Sequence, residues 1–199
     1  MNLVQSQNSP DSLAGLYYLT GVHEMASAFE LKSDKTFKFF FTYGALDRYA
    51  SGTWNAENGN IVFSTNPKPK ADFALISSKT SPGTVTTIKI TEKNEALLRY
   101  VHCFLKKGSQ EIHEVTNQKG IATIPLVNAD SITLIFEFAQ ERSSAFPITN
   151  KQDNYFEFRF EPWAFEVFLK DFKLKIGYEE LTGGHPLLEK DEYQYKKEH

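Results

Sequence analysis

Apolar and polar positions alternate most clearly between Thr36 and Tyr43. Phe37, Phe39, Phe41 and Tyr43 share one side and Lys38, Phe40 and Thr42 the other, the period of a half-buried strand. Before it, Leu16 to Thr20 and Ala28 to Leu31 read as strands, with Lys32-Ser33-Asp34-Lys35 as a polar hairpin turn. Gly44 to Arg48 turns the chain into a fourth strand, Tyr49 to Trp54. Asn58-Gly59 then predicts a tight hairpin into Ile61 to Ser64. Residues 14–65 are thus expected to form a five-stranded antiparallel meander.

The proline-containing run Asn66 to Lys70 and the stretch Ser77 to Gly83 interrupt this pattern, because proline cannot donate to a strand ladder. A domain boundary is expected near residue 82. Beyond it Val85 to Thr91, Leu97 to Lys106, Glu111 to Thr116, Ile121 to Ile124 and Ile132 to Phe138 read as strands, followed by Tyr155 to Phe160, Phe165 to Lys170 and Lys173 to Gly177. Gly183-Gly184-His185-Pro186 reads as a turn that ends regular structure, and the charged tail Glu189 to His199 holds at most a short strand around Tyr193 to Tyr195. Helical spacing is confined to short stretches, Asp171 to Tyr178 and Pro186 to Asp191. The expected fold is all-β: a flexible leader (1–13), an N-terminal antiparallel meander or partial barrel (14–82) and a second, β-sandwich-like unit (83–199).

Composition supports strands: 17 Phe and 9 Tyr raise the aromatic share to 14%, and such side chains pack well on a pleated surface. With a net charge of -3 and lysines scattered among acids, no basic stripe offers itself to nucleic acid. The single cysteine, Cys103, rules out an intrachain disulfide and a thiolate-rich metal site; it sits in the apolar run Leu97 to Leu105, where a core thiol is expected. No run approaches the roughly 20 apolar residues of a membrane-spanning helix. The polar stretch Asn2 to Ser12 has the character of what remains after an export signal is removed, so a periplasmic or secreted location is expected, with the cytoplasm as the alternative.

Candidate chemistry is sparse. His23-Glu24 and Asp47-Arg48 follow alternate turns of the meander and are expected at one rim, where a histidine and a carboxylate serve as a base or grip a polar ligand and Arg48 holds an anion. Tyr43 and Trp54, with Tyr17, Phe39 and Phe41, either line a pocket for an apolar or ring-shaped ligand or are core. His102 and His113 fall on adjacent strands and can meet across a ladder, yet Glu111 and Glu114 are the only acids nearby and no third ligand is identifiable. No metal, cofactor or catalytic residue is assigned, since neither a Gly-x-Ser-x-Gly elbow nor a phosphate loop occurs. The expected function is non-catalytic recognition of a small apolar or aromatic ligand, or of a protein, through a sheet face or loops, with His23, Glu24, Tyr43, Asp47, Arg48 and Trp54 as ligand-binding candidates. The alternatives are a small β-barrel hydrolase or isomerase using His23 and Glu24, and a structural or adhesion-type module in which Leu97 to Leu105 or Ile132 to Phe138 presents a sheet edge.

Two family resemblances add to this. Gly15-Leu16-Tyr17-Tyr18-Leu19-Thr20-Gly21-Val22-His23-Glu24, Glu30-Leu31, Asp34, Phe37, Tyr43-Gly44-Ala45, Asp47 and Gly52-Thr53-Trp54 form a pattern that resembles uncharacterised bacterial all-β proteins, many of them exported, and more distantly the meander of lipocalin-like domains; Gly15-Leu16-Tyr17 stands where a lipocalin carries Gly-x-Trp. Thr116-Asn117-Gln118-Lys119-Gly120-Ile121-Ala122-Thr123-Ile124 is similar to the turn-and-strand signature of carboxypeptidase-regulatory or transthyretin-like sandwiches. The second resemblance implies an accessory or binding module without catalytic residues to carry over.

Overall fold

A computed structural model describes residues 10–44 and 46–199. Of the expected leader, residues 1–9 lie outside the described residues, while Pro10–Leu13 form a helical turn (α1). Leu13 is buried, and its carbonyl accepts a hydrogen bond from the Tyr17 hydroxyl. The chain starts with β1 (Gly15–Thr20), β2 (Met25–Leu31), β3 (Thr36–Tyr43), β4 (Leu46–Glu57) and β5 (Asn60–Thr65). It continues with β6 (Phe73–Lys79), β7 (Thr86–Thr91), β8 (Val101–Lys107), β9 (Gln110–Val115), β10 (Ile121–Ile124), β11 (Ser131–Phe136), β12 (Ser144–Pro147) and β13 (Tyr155–Phe160). It ends with β14 (Phe172–Ile176), β15 (Glu180–His185) and β16 (Leu188–Lys197). No helix among the described residues is long and apolar enough to cross a membrane.

Two compact units result, and their division corrects the expected boundary near residue 82. One runs up to Lys68 and resumes at Phe165; the other is Pro69–Ala164, inserted between β5 and β14. The meander therefore does not end with its fifth strand: β14, β15 and β16 continue it, and β16 pairs with β1 to close an eight-stranded antiparallel barrel. Residues 165–199, expected in the second unit, complete the first.

Hairpin chemistry sets the barrel's register. Asn58 and Gly59 both take positive φ (48° and 75°), as the two-residue turn between β4 and β5 requires. Gly52 answers a different demand: a Cβ there would lie 2.1 Å from the Ser64 carbonyl oxygen, so only glycine lets β4 and β5 approach so closely. Inside, Phe29 is fully buried with ring centroids of Phe63, Phe39 and Tyr195 at 4.6, 4.8 and 5.4 Å. Each such pair adds roughly 0.5–1.5 kcal/mol beyond area burial.

The inserted unit has two four-stranded sheets, ordered β10-β7-β13-β6 and β12-β11-β8-β9. Rings of Phe136 and Phe146 from the second sheet pack on Phe160 and Phe158 of the first, 4.9 and 4.8 Å apart, in the manner of a sandwich. Its one parallel pairing sets β13 beside β7, from Tyr155 against Thr87 to Arg159 against Thr91. The strands read at Leu97 to Leu105 and Ile132 to Phe138 supply β8 and β11, which lie inside their sheet, so neither presents an edge. Cys103 on β8 is fully buried, and burial pushes its thiol up to about 12, which makes it an inert core group. Phe165 to Lys170, expected as a strand, instead follows the 3-10 turn Pro162–Phe165 and makes a single parallel bridge, Glu166 to Tyr49.

Candidate functional site

An eight-stranded barrel is just wide enough either to be filled by side chains or to hold one small ligand. Here the aromatic side chains fill it. Tyr17, Phe39, Phe41 and Trp54 are 2–5% exposed members of one core cluster with Phe29, Phe37 and Phe63. Trp54 sits at the rim of the β2–β3 turn, its Nε1 donating to the Lys32 carbonyl at 3.0 Å and the Lys35 ammonium lying 3.7 Å from its ring centroid. Tyr43 belongs to the opposite rim and is half exposed.

That opposite rim gathers most of the remaining candidates. Met25, directly after His23 and Glu24, pairs with Tyr43, and Thr42 pairs with Asp47, whose carboxylate accepts from the Thr42 hydroxyl at 2.9 Å. His23, Glu24, Tyr43 and Asp47 are all exposed there. Arg48 is not: it shares the inward parity of Ala50 and Trp54 and is 2% exposed. Its Nε donates to the Phe165 carbonyl at 3.1 Å and a terminal nitrogen to the Glu166 carbonyl at 3.2 Å. The guanidinium anchors the returning chain, where Val167 N–H also donates to the Tyr49 carbonyl, rather than facing an incoming anion. Counting back from Trp54 in steps of two would have revealed this.

The same barrel end holds a group the sequence hid inside an apparent turn. β15 runs through Gly183 and Gly184 to His185, so the expected stop at that tetrapeptide is corrected. His185 is buried amid the rings of Phe39, Phe41, Tyr193 and Tyr195. Its Nδ1 accepts from Leu187 N–H at 3.0 Å, which assigns the proton to Nε2, donated to Ser27 Oγ at 3.0 Å. Ser27 in turn donates its own proton to the Phe40 carbonyl at 2.8 Å. A nucleophilic serine would need its hydroxyl directed at the imidazole nitrogen; here the polarity of the contact is reversed, and the pair is structural. Burial pushes the imidazole down to about 4, keeping it neutral. Replacing Ser27 by Ala leaves the Nε2–H and the Phe40 carbonyl without this hydroxyl, and a loss of roughly 1–3 kcal/mol is expected in denaturant unfolding.

The barrel exterior carries a different feature. Cross-strand pairing aligns Tyr18, Ala28, Phe40 and Tyr49 in one row across β1, β2, β3 and β4. Tyr18, Phe40 and Tyr49 are 38%, 37% and 46% exposed, while Ala28 is covered completely. The Tyr18 and Phe40 rings meet edge-on over it, 6.3 Å between centroids. Glu30, Lys38 and Ser51 flank the row on one side, Ala26, Thr42 and Asp47 on the other. Burial, followed by the Glu166 charge, pushes the Tyr49 hydroxyl up, so it stays a donor at neutral pH. Phe40, the one aromatic on the polar side of β3, was the available sequence signal.

In the inserted unit, His102 and His113 do meet, Nδ1 to Nε2 at 3.0 Å. Asp72 and Arg142 form a buried ion pair, 3.0 Å from carboxylate to Nε. Arg142 also donates to the Ala164 carbonyl, and Asp72 N–H to Ser144 Oγ at 2.7 Å. No family model, curated protein or solved structure matches this chain.

Proposed function

We propose that the protein is a non-catalytic, exported binding protein that recognises its partner through the outer sheet face of β1 to β4. The observation that carries this is the Tyr18–Phe40–Tyr49 row, three large rings half open to solvent and bordered by hydroxyl, ammonium and carboxylate groups. Rigid aromatic surface with hydrogen-bonding groups at its margin is the chemistry that binds a ring-shaped ligand or the apolar centre of a protein interface. The buried polar groups favour the same reading, because Arg48, Asp72, Arg142 and His185 are all engaged within the protein. An up-and-down eight-stranded barrel is also the architecture of lipocalins, which supports the resemblance in the first strands. The interior ligand site of that family is not carried over, since phenylalanines occupy the space.

The alternative, a barrel enzyme with His23 and Glu24 as acid and base, has one feature in its favour: Glu24 holds a left-handed backbone (φ 63°), a strain found at functional turns. Both side chains, however, stand exposed to water at the rim.

Glycan-array screening together with affinity capture, on the wild type and on a Tyr18→Ser, Phe40→Ser, Tyr49→Ser triple variant, tests the proposal. A partner held by the wild type and lost by a triple variant of unchanged melting behaviour is expected. Equal retention by both would place recognition elsewhere, and its loss in His23→Ala or Glu24→Ala would move it to the rim.

A further inference from the structure

Independently of the barrel face, we propose that His102 and His113 bind a divalent transition-metal ion of the zinc, nickel and copper class between their imidazoles. β8 is a central strand and β9 the sheet edge; Phe104 pairs with His113 and Val115 with His102, which puts the two histidines on one diagonal of the same face. Their ring planes are 4° from parallel with centroids 5.1 Å apart. With the contacting nitrogens at 3.0 Å, that separation means the rings meet edge to edge, nitrogen facing nitrogen, rather than face to face. Two imidazoles ligating one tetrahedral ion at about 2.0–2.1 Å hold their nitrogens roughly 3.3 Å apart. The pair therefore needs to open by only a few tenths of an ångström for a metal ion to replace the shared proton.

Two neighbours prepare the site. Phe104 stacks on His113 at 4.4 Å between centroids and fixes the plane of the more exposed ring. Behind His102, its Nε2 is buried without a hydrogen bond and Glu137 Oε2 stands 3.8 Å away. A ligating imidazole characteristically donates its second N–H to a carboxylate, which raises its basicity and fixes its tautomer. Glu137 is placed to close that contact once Nδ1 is metal-bound. Water fills the remaining coordination positions, and the bound ion pins the edge strand β9 to the sheet interior.

Isothermal titration of the full-length chain with Zn2+ at neutral pH, read alongside the imidazole nitrogen resonances, tests this. One ion per chain is expected, with the His102 and His113 nitrogens shifted. His102→Gln and His113→Gln each abolish binding while far-UV circular dichroism stays unchanged, and Glu137→Gln weakens it roughly tenfold. His199→Gln, at an exposed histidine beside Glu179, leaves it intact. Acid releases the ion, because both nitrogens must be unprotonated to ligate. Absence of zinc binding by the wild type, or binding that survives both imidazole substitutions, overturns the proposal; should His102→Gln fail to fold, exposed His113 and the resonance shifts decide it.

Discussion

Replacing Arg142 with methionine is expected to destabilise the inserted sandwich by about 3–5 kcal/mol, because it strands a carboxylate in the interior. Asp72 and Arg142 side chains are 6% and 2% exposed, so little solvent screens either partner. The pair also organises the two ends of its unit. Arg142 reaches the Ala164 carbonyl, the Asp72 carbonyl accepts from Glu161 N–H at 2.8 Å, and Trp163 Nε1 donates to the Ala71 carbonyl at 2.8 Å. Losing the guanidinium therefore loosens the start of β6 and the 3-10 turn after β13 together. Replacing both residues, Asp72→Leu with Arg142→Met, is expected to recover most of the loss, since a well-packed apolar pair is often as stable as a buried ion pair. Urea unfolding combined with hydrogen exchange at the β6 and β13 amides measures this within the unit itself. A loss below about 1 kcal/mol for the single variant would show the pair behaving as a surface salt bridge.

The strands readable from the sequence are those that the barrel or sandwich wets on one side only. β3 alternates cleanly because Phe37, Phe39 and Phe41 fill the barrel while Lys38 meets water, and the Asn58-Gly59 turn follows from backbone chemistry alone. The strands that escaped reading have other constraints. β6 is a sheet edge that exposes Leu75 and Ile76 and ends in Ser77-Ser78-Lys79, and β12 is a four-residue edge ending in proline. β15 carries Gly183, where a side chain would crowd the end of Leu174, and β16, read only as a short strand around Tyr193 to Tyr195, buries Tyr195 while surrounding it with polar residues. The insertion was hidden because closure of the barrel depends on β14 pairing with β5 and β16 with β1, partners far away in sequence that no local pattern announces.

Site residues divide along similar lines. That His23, Glu24, Tyr43 and Asp47 share a rim follows from turn alternation in a meander, a local rule. Arg48 and His185 were misplaced because charge and imidazole read as surface, whereas inward parity and a continuing strand bury them. The outer aromatic row needs the register of four strands at once, which no single segment displays. The proposed recognition by the barrel exterior rests on these two observations, polar groups bound into the fold and rings left outside it.

Acid should expose the burial of His185. Its imidazole is held down to about 4 in the folded protein against an ordinary value of 6.5, with desolvation among Phe39, Phe41, Tyr193 and Tyr195 as the cause. Above pH 6.5 both the folded and unfolded chains carry it neutral, and the group contributes no pH dependence. Below that, the unfolded state takes up the proton first, so stability falls with pH until the folded imidazole also titrates near 4. At about 1.4 kcal/mol for each tenfold difference in proton affinity, the loss reaches roughly 3 kcal/mol across that window. His185→Gln keeps an amide able to donate to Ser27 and accept from Leu187 N–H but cannot titrate there. The difference between wild-type and variant unfolding free energies, measured by denaturant titration from pH 7.5 to 4, removes the contribution of the carboxylates common to both. It should move by about 3 kcal/mol against the wild type as the pH falls. A flat difference curve would mean that the folded chain protonates His185 as readily as the unfolded one, and that the aromatic barrel end admits water.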